Sequence, residues 1–224
     1  MVSIPLTVDG RVVGSAGDAR ALATAALAGH LGAMPGDSGP FDGITRAWQA
    51  IAGSPWADAF AEAMADGLDA PETEEAAVHF FTIAPGAPHG DRLLARLVAA
   101  RSGAEPLDAE RLSGALHALG RRAMGGDTAA LAFAQRDAVS GQDPEPYIAA
   151  LTRADPDWIT AHAEAIVKVH PQVALPILFN LQSIGVDPTP LGVVIAPHAK
   201  RAPSFGKMLA RFIDNPGPIK KAMR

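Results

Sequence analysis

The sequence predicts an all-α protein that begins with a short β-hairpin. From about Pro71 onward, apolar helical stretches alternate with short breaks of proline, glycine and aspartate, a rhythm typical of antiparallel helix pairs stacked in series. Hydrophobic residues make up 48% of the chain and charged residues 19%, a balance typical of a globular core. Aromatic residues are only 5%, so small side chains must make most helix contacts. We expect a single helical domain over residues 1–224.

The hairpin is predicted within residues 1–14. Asp9-Gly10 lies there between two short apolar stretches, and an Asp-Gly pair readily adopts the positive φ angles of a type I′ turn. Because an isolated two-stranded hairpin is only marginally stable in water, we expect it to lie against the helices.

Helices are predicted over most of the remaining chain, and many of their starts carry a capping residue. Asp18 is the expected cap of the first helix, and Ser54 caps the third, with Pro55 in its first turn. A loop rich in glycine and proline is expected at 32–40. Three Asp-Pro pairs combine a capping carboxylate with a proline that fits a first helical turn: 143–144, 155–156 and 187–188. The predicted helices are 18–33, 41–52, 55–65, 71–83, 90–101, 108–123, 127–139, 144–153, 156–169, 171–184 and 191–198. They divide into N-terminal helices (15–70) and helix-pair repeats (71–199), followed by a basic C-terminal segment (200–224).

The stretch between Lys168 and Lys200 is apolar enough to suggest a membrane span, since Asp187 is its only charge. Five prolines interrupt it, however, and a span needs about 20 continuous apolar residues. We therefore predict two buried helices joined by a turn at 185–190, and no transmembrane segment. The first 14 residues lack a basic region followed by an apolar one, which favours a cytoplasmic location over secretion.

One stretch of the helical pattern resembles HEAT-like α-helical repeat proteins. It runs through Ala76-Ala77-Val78-His79-Phe80-Phe81, the turn residue Pro85, then Asp91-Arg92-Leu93-Leu94 and Leu97-Val98. The resemblance covers about 71–169 and implies an irregular, curved stack of helix pairs whose concave surface holds another macromolecule. No functional residue carries over from it. The N-terminal hairpin and the proline-dense end depart from the pattern, so an irregular bundle without solenoid curvature stays open.

Charge is distributed unevenly along the chain. Residues 1–199 contain 12 Lys and Arg against 23 Asp and Glu, whereas residues 200–224 contain 7 against 1. No basic residue lies between Arg46 and Arg92. Within that gap, Asp58, Glu62 and Asp66 recur every four residues and share one helix face, where like charges repel.

A basic protein partner would relieve this repulsion and be attracted to the acidic face. We therefore expect a non-catalytic protein-binding module, for example a bacterial immunity protein that inhibits a basic toxin enzyme, or an adaptor. The predicted partner-binding residues are Asp58, Glu62, Asp66, Asp69, Glu72 and Glu75. The alternative is a solvated helix face, with Glu72, Glu74 and Glu75 favoured by the helix dipole.

Candidate chemistry is sparse, and no cofactor is predicted. Without cysteine the chain has no disulfide, thiolate nucleophile or cysteine-ligated metal. Glu75 and His79 stand four residues apart on one helix face, so an enzyme or ligand-binding site between helices is the alternative function. As a metal site they would need further ligands. Ser204 and Lys207 match Ser-x-x-Lys, but the partner motifs of that enzyme class are absent.

The basic C-terminal segment supports a second alternative, nucleic-acid binding. Phosphate backbones and anionic membranes both attract basic amphipathic stretches. The chain's pI of about 5.8 argues against nucleic acid, and the segment can equally pack on acidic residues of its own chain. Its basic residues are Lys200, Arg201, Lys207, Arg211, Lys220, Lys221 and Arg224.

Overall fold

A computed structural model describes residues 5–31, 37 and 39–224 of the chain. Within those residues there are 13 α-helices and one two-stranded antiparallel sheet, which confirms the all-α prediction. The contacts between Cα atoms divide the chain into two compact units, residues 1–118 and 119–224, and each is described by itself below. The single domain and the HEAT-like stack stay predictions.

The predicted hairpin is confirmed. Its strands are Leu6–Val8 (β1) and Arg11–Val13 (β2), paired so that Leu6 lies opposite Val13. Asp9 and Gly10 have φ angles of 47° and 75°, and a type I′ turn requires positive values at both positions. Val8 and Val13 are buried, and the strands contact the first two helices of the unit.

The helices of the first unit surround a cluster of aromatic rings. Trp48, Phe60, Phe80 and Phe81 come from three helices, and neighbouring ring centroids lie 5.1 to 6.1 Å apart. The three phenylalanines are fully buried. The helices that start in the described part of this unit are Ala16–Leu27 (α1), Asp42–Ile51 (α2), Ala57–Asp66 (α3), Glu74–Ile83 (α4), Gly90–Ser102 (α5) and Ala109–Met124 (α6), with a 3₁₀ turn at Gly67–Asp69 after α3.

The cap of α1 is Ser15, so the prediction of Asp18 as the cap was wrong. The Ser15 Oγ accepts a hydrogen bond from the Asp18 N–H at 3.1 Å. Asp18 itself accepts a bond from the Gly14 N–H at 3.0 Å. The two side chains therefore act together in the manner of a capping box. The bond from Gly14 lowers the pKa of Asp18 below its ordinary value.

Helix α1 is also shorter than predicted and ends at Leu27 instead of near residue 33. Gly29 takes a φ of 69°, and the His30 N–H bonds back to the Ala25 carbonyl at 2.8 Å. This is a Schellman arrangement, which a glycine in the left-handed region makes possible. The predicted loop at 32–40 lies mainly outside the described residues.

Helices α3 and α4 both begin after the proline that was expected in their first turn. Ser54 does not cap α3, because its Oγ accepts a bond from the Trp56 N–H at 3.2 Å in the preceding turn. Before α4, the Thr73 hydroxyl donates to the Gly67 carbonyl at 2.9 Å, which ties the residues after Pro71 to the 3₁₀ turn. In each case a local side-chain bond competes with the helix.

The second unit contains a core of aliphatic side chains around one buried tyrosine. Tyr147, Leu151, Ile166 and Ile177 are almost wholly inaccessible, and the Tyr147 hydroxyl donates to Asp137 at 2.9 Å. Its helices are Thr128–Ala138 (α7), Glu145–Ala154 (α8), Pro156–Val169 (α9), Ala174–Ser183 (α10), Thr189–Ala199 (α11), Phe205–Phe212 (α12) and Gly217–Ala222 (α13), with a 3₁₀ turn at Pro171–Val173 before α10. Helix α10 packs against α8, α9, α11 and α12, and α11 packs against α9 and α13.

The Asp-Pro pairs act in two ways. Asp155 is a true N-cap, since its carboxylate accepts from the Trp158 N–H at 3.0 Å and α9 begins at the following proline, as predicted. Asp143 and Asp187 instead accept from the N–H two residues on, at 3.1 and 2.9 Å, so α8 and α11 begin one residue after the proline. The backbone bond from Thr189 lowers the pKa of Asp187.

The C-terminal segment is helical and part of the core, which the sequence did not predict. Phe205 and Leu209 of α12 and Ile219 of α13 are buried. Ile219 lies so close to Gly192 of α11 that a Cβ there would stand 2.4 Å from the Ile219 Cδ1. The predicted turn between α10 and α11 is confirmed, with Gly185 at a φ of 82°. None of the described helices combines the length and apolar character that crossing a bilayer requires.

Candidate functional site

The predicted acidic face lies in the first unit, and most of its carboxylates contact basic side chains of that unit. Glu62 pairs with Arg20 of α1. Arg92 of α5 bridges Asp66 and Asp69, and hydrogen bonding to Asp66 raises the pKa of this guanidinium. The like charges that recur along α3 are therefore compensated from within the chain.

His89 faces the remaining carboxylate of this row. Its Nε2 lies 3.1 Å from the Oδ1 of Asp58, which is largely exposed. His89 has a φ of 62°, in the left-handed region that residues other than glycine seldom adopt. The pairs on α3 are exposed to water, so each contributes only about 0 to 1 kcal/mol to stability.

The first unit also contains a buried carboxylate that the sequence did not single out as a site. Glu74 is 3% exposed, and its two oxygens accept from Arg96 at 3.1 Å and Arg111 at 3.3 Å. Arg96 also binds Glu105, and Arg111 also binds Asp108. The pairing joins the start of α4 to α5 and to the start of α6.

Beside this pairing is a cavity of about 500 Å³, which we name the acidic groove. Glu72, Glu75, Asp108 and Glu110 line it around the Glu74–Arg111 pair. Glu72, Glu75 and Glu110 are exposed, and among the described residues none of the three forms a hydrogen bond or an ion pair. Since Arg111 is already shared by two carboxylates, the groove has an excess of negative charge that is available to a ligand.

Of the six predicted partner-binding residues, the structure brings Glu72 and Glu75 together in the acidic groove. The other four contact basic side chains of the first unit, arginine for Glu62, Asp66 and Asp69 and histidine for Asp58. The sequence reasoning missed Glu110, although an acidic residue at a predicted helix start was visible. That two helix starts face one groove was not visible, because they are far apart along the chain.

His79 is half-buried and does not bond to Glu75 within the described part of the chain. Its ring centroid lies 5.0 Å from that of Phe41. Burial lowers the pKa of His79, and the charges of Asp42 and Glu75 only partly oppose this effect. Among the described residues there is no group of three or more His, Asp or Glu side chains placed to hold a metal ion. Burial therefore favours the neutral form of the His79 imidazole.

The other candidates from the sequence lie apart from any cluster of reactive groups. Ser204 and Lys207 are both exposed at the start of α12, and Ser204 forms no capping bond with its side chain. The three tryptophans are half-buried, and Trp158 stacks on His162 with ring centroids 4.2 Å apart. Trp48 belongs to the aromatic cluster of the first unit.

The basic residues of the C-terminal segment are all exposed. Within the described structure, none of the seven forms an ion pair with a carboxylate. Arg201 instead donates to the backbone carbonyls of Lys168 and His198. In the same region His198 lies 3.5 Å from Glu164. The cations of this segment are therefore available to anions from outside the unit.

Comparisons of the chain with known protein families, curated proteins and solved structures found no match in any of the three. The resemblance to HEAT-like repeats stays an expectation based on the helix pattern.

Proposed function

We propose that this chain is a non-catalytic protein-binding module whose acidic groove binds a basic side chain of a protein partner. The observation that carries the proposal is the convergence on one cavity of Glu72, Glu75 and Glu110, three carboxylates that form no ion pair with any described residue. A guanidinium can bind two carboxylate oxygens side by side, which fits a groove lined by several carboxylates.

The other acidic residues of the predicted face have a different role in this proposal. Asp58, Glu62, Asp66 and Asp69 already have partners, so they contribute to the field of the first unit more than to direct contacts. Residues 1–118 carry seven basic and fifteen acidic side chains, a net charge of −8. A field of that sign speeds the approach of a basic protein. An inhibitor of a basic enzyme, such as an immunity protein, or an adaptor would use the groove in this way.

The proposal has a second part, a HEAT-like stack of helix pairs, and the helix contacts within the second unit support it. Helix α8 packs on α10 and α9 packs on α11, while successive helices from α7 to α11 also contact each other. Contacts to both the next and the next-but-one helix are what stacked helix pairs produce. We therefore propose a short stack of helix pairs in this unit.

The test is affinity capture from a lysate of the source cells with three forms of the protein. The first is unchanged, the second carries Glu72→Gln, Glu75→Gln and Glu110→Gln, and the third is a matched control. The control removes three exposed carboxylates from first helical turns outside the groove, by Asp91→Asn, Glu145→Gln and Asp157→Asn.

We expect the unchanged and control proteins to retain one basic protein at low salt and to release it in about 1 M NaCl. The groove variant should lose it. Equal retention by all three forms would refute the role of the groove, and retention of no basic protein by any form would refute the binding module itself.

A further inference from the structure

The outer face of α11 is apolar although it is open to solvent. Val193 and Val194 are 39% and 49% exposed, and the exposed residues one turn away on either side are Pro190 and Pro197. These four positions share one helix face, which we name the α11 face, and no charged side chain lies on it. The opposite side of the helix is buried against α9 and α13.

The apolar surface extends to the end of α9. Arg201, which follows α11, donates to the Lys168 carbonyl, so the ends of α9 and α11 are held together. Val169 is next in the chain and is 59% exposed. Buried apolar side chains stabilise a protein and exposed ones do not, so a contiguous exposed group of valines and prolines indicates a contact surface.

Cations border this surface. Lys168, Lys200 and Arg201 lie where α9 and α11 end. We name these three residues the basic rim. The nearby carboxylates are Glu164, which faces His198, and Asp187, which bonds to the backbone at the start of α11.

We propose that the α11 face and the basic rim bind the surface of an anionic lipid bilayer. Valines and prolines can enter the boundary between headgroups and acyl chains, while the rim pairs with lipid phosphates and carboxylates. Lysine suits such a rim, since its apolar stem can lie along the boundary while the ammonium stays in water. The proposal goes beyond the protein-binding function and depends on residues of the other unit.

Nucleic acid is a poorer fit to the same surface. Binding of a phosphate backbone is carried by cations along the contact, and single strands add stacking on aromatic rings. The α11 face offers neither, because its exposed side chains are valine and proline. A bilayer combines an anionic surface with an apolar layer beneath it, which matches both parts of the site.

The experiment is co-sedimentation of the full chain with phosphatidylcholine vesicles that contain about 30% phosphatidylserine, compared with phosphatidylcholine vesicles alone. We expect binding to the anionic vesicles only, and weaker binding in about 1 M NaCl. The variant Lys168→Gln/Lys200→Gln should bind more weakly by about fivefold for each lysine removed.

Substitution of the valines distinguishes this proposal from binding by charge attraction alone. Val193→Glu/Val194→Glu should abolish sedimentation with the vesicles, whereas the matched control Val98→Glu/Val139→Glu, at valines 53% and 49% exposed elsewhere, should lower it only by the effect of two added charges. Circular dichroism checks that each variant folds. If the glutamate pair does not fold, Val193→Ser/Val194→Ser replaces it and should still weaken binding.

Four results would overturn the proposal. The first is no binding to anionic vesicles, and the second is equal binding by the α11-face variant and its control. The third is retention of the protein on single-stranded RNA through the same lysines without vesicle binding, which would assign the rim to nucleic acid. A dimer in solution that Val193→Glu/Val194→Glu dissociates, again without vesicle binding, would make the face a contact between two copies and would equally overturn it.

Discussion

Residues 1–118 carry seven basic and fifteen acidic side chains, whereas residues 119–224 carry twelve basic and nine acidic ones. All seven basic residues of the first unit are arginines, and all five lysines of the chain lie in the second. Arginines of the first unit form ion pairs with carboxylates of that unit, among them Arg20, Arg46, Arg92, Arg96 and Arg111. The C-terminal cations of the second unit face solvent.

The chemistry of the two side chains contributes to this difference, although Arg201, Arg211 and Arg224 of the C-terminal segment are exposed as well. A guanidinium presents a planar fork of donors, and Arg92, Arg96 and Arg111 each bind two carboxylates. An ammonium is a compact, strongly hydrated charge that loses more by leaving water. The first unit therefore uses several of its arginines for internal cohesion. In the second unit Arg122 is likewise buried and paired with Asp127, whereas the cations of the C-terminal segment lie at the surface. The net charge of a unit therefore does not show how many of its charged side chains are open to a ligand.

The largest expected effect tests whether cohesion in the first unit depends on its buried carboxylate. Glu74→Gln removes the charge that Arg96 and Arg111 share, and both arginines remain partly buried. We expect the free energy of unfolding to fall by about 2 kcal/mol, measured by urea titration with tryptophan fluorescence.

The control is the next residue, Glu75→Gln, which is exposed in the acidic groove. It should change the free energy of unfolding by less than about 0.5 kcal/mol. Equal effects of the two substitutions would mean that the buried pairing does not stabilise the first unit.

A second prediction tests whether α13 is held against α11 by close packing instead of ion pairing. Gly192→Ala places a Cβ against Ile219 and should destabilise the protein by about 1 to 2 kcal/mol. In an Ile219→Val background the same change should cost clearly less, since the contacting methyl group is gone. Gly53→Ala is the control, because no atom lies within 4 Å of a Cβ there. A cost that is independent of residue 219 would contradict this account.

A third prediction compares one cation from each unit. Arg92→Met removes the bridge to Asp66 and Asp69, which are mostly exposed, and should lower the free energy of unfolding by about 0.5 kcal/mol. Arg211→Met in the second unit should leave it almost unchanged. In about 1 M NaCl the two substitutions should change the free energy of unfolding by the same small amount, because salt screens exposed pairs. A difference that persists in high salt would show that Arg92 acts through packing.

The smallest effect concerns pH and His79. Burial lowers the pKa of this imidazole in the folded protein, so below the unfolded value of about 6.5 the unfolded chain binds the proton more readily. The contribution of His79 to stability is therefore complete above about pH 6.5 and is lost as the pH falls toward the folded pKa. His79→Gln should reduce the loss of stability between about pH 7.5 and 5.5, measured by urea titration. An unchanged pH dependence would contradict the assignment.

The features that the sequence predicted correctly depend on neighbouring residues. The Asp9-Gly10 turn, the start of α9 at Asp155 and the turn at Gly185 each follow from backbone preferences over a few positions. Helix α1 ends before the predicted residue for an equally local reason, the left-handed conformation of Gly29. The sequence did not reveal this end, because apolar residues continue beyond Gly29. The short helices α12 and α13 were missed although Phe205 and Leu209 have helical spacing.

The acidic groove was only half predictable. Glu72 and Glu75 follow Pro71 directly, so the acidic start of α4 was visible in the sequence. Glu110 comes from α6, and only packing brings it to the same cavity. A carboxylate at a helix start is common, because the helix dipole favours it, and so the sequence could not mark this one as part of a site.

By itself the sequence determined the helical class, the hairpin and the total charge of each part of the chain, since these depend on composition and on local spacing. Only the tertiary structure decided which charges are paired. Arg20 and Glu62 are 42 residues apart, and Arg111 and Glu74 are 37 apart. An ion pair forms where packing brings opposite charges on two helices within a few ångströms of each other. That distance depends on how the helices pack, and it cannot be read from either segment of the sequence alone.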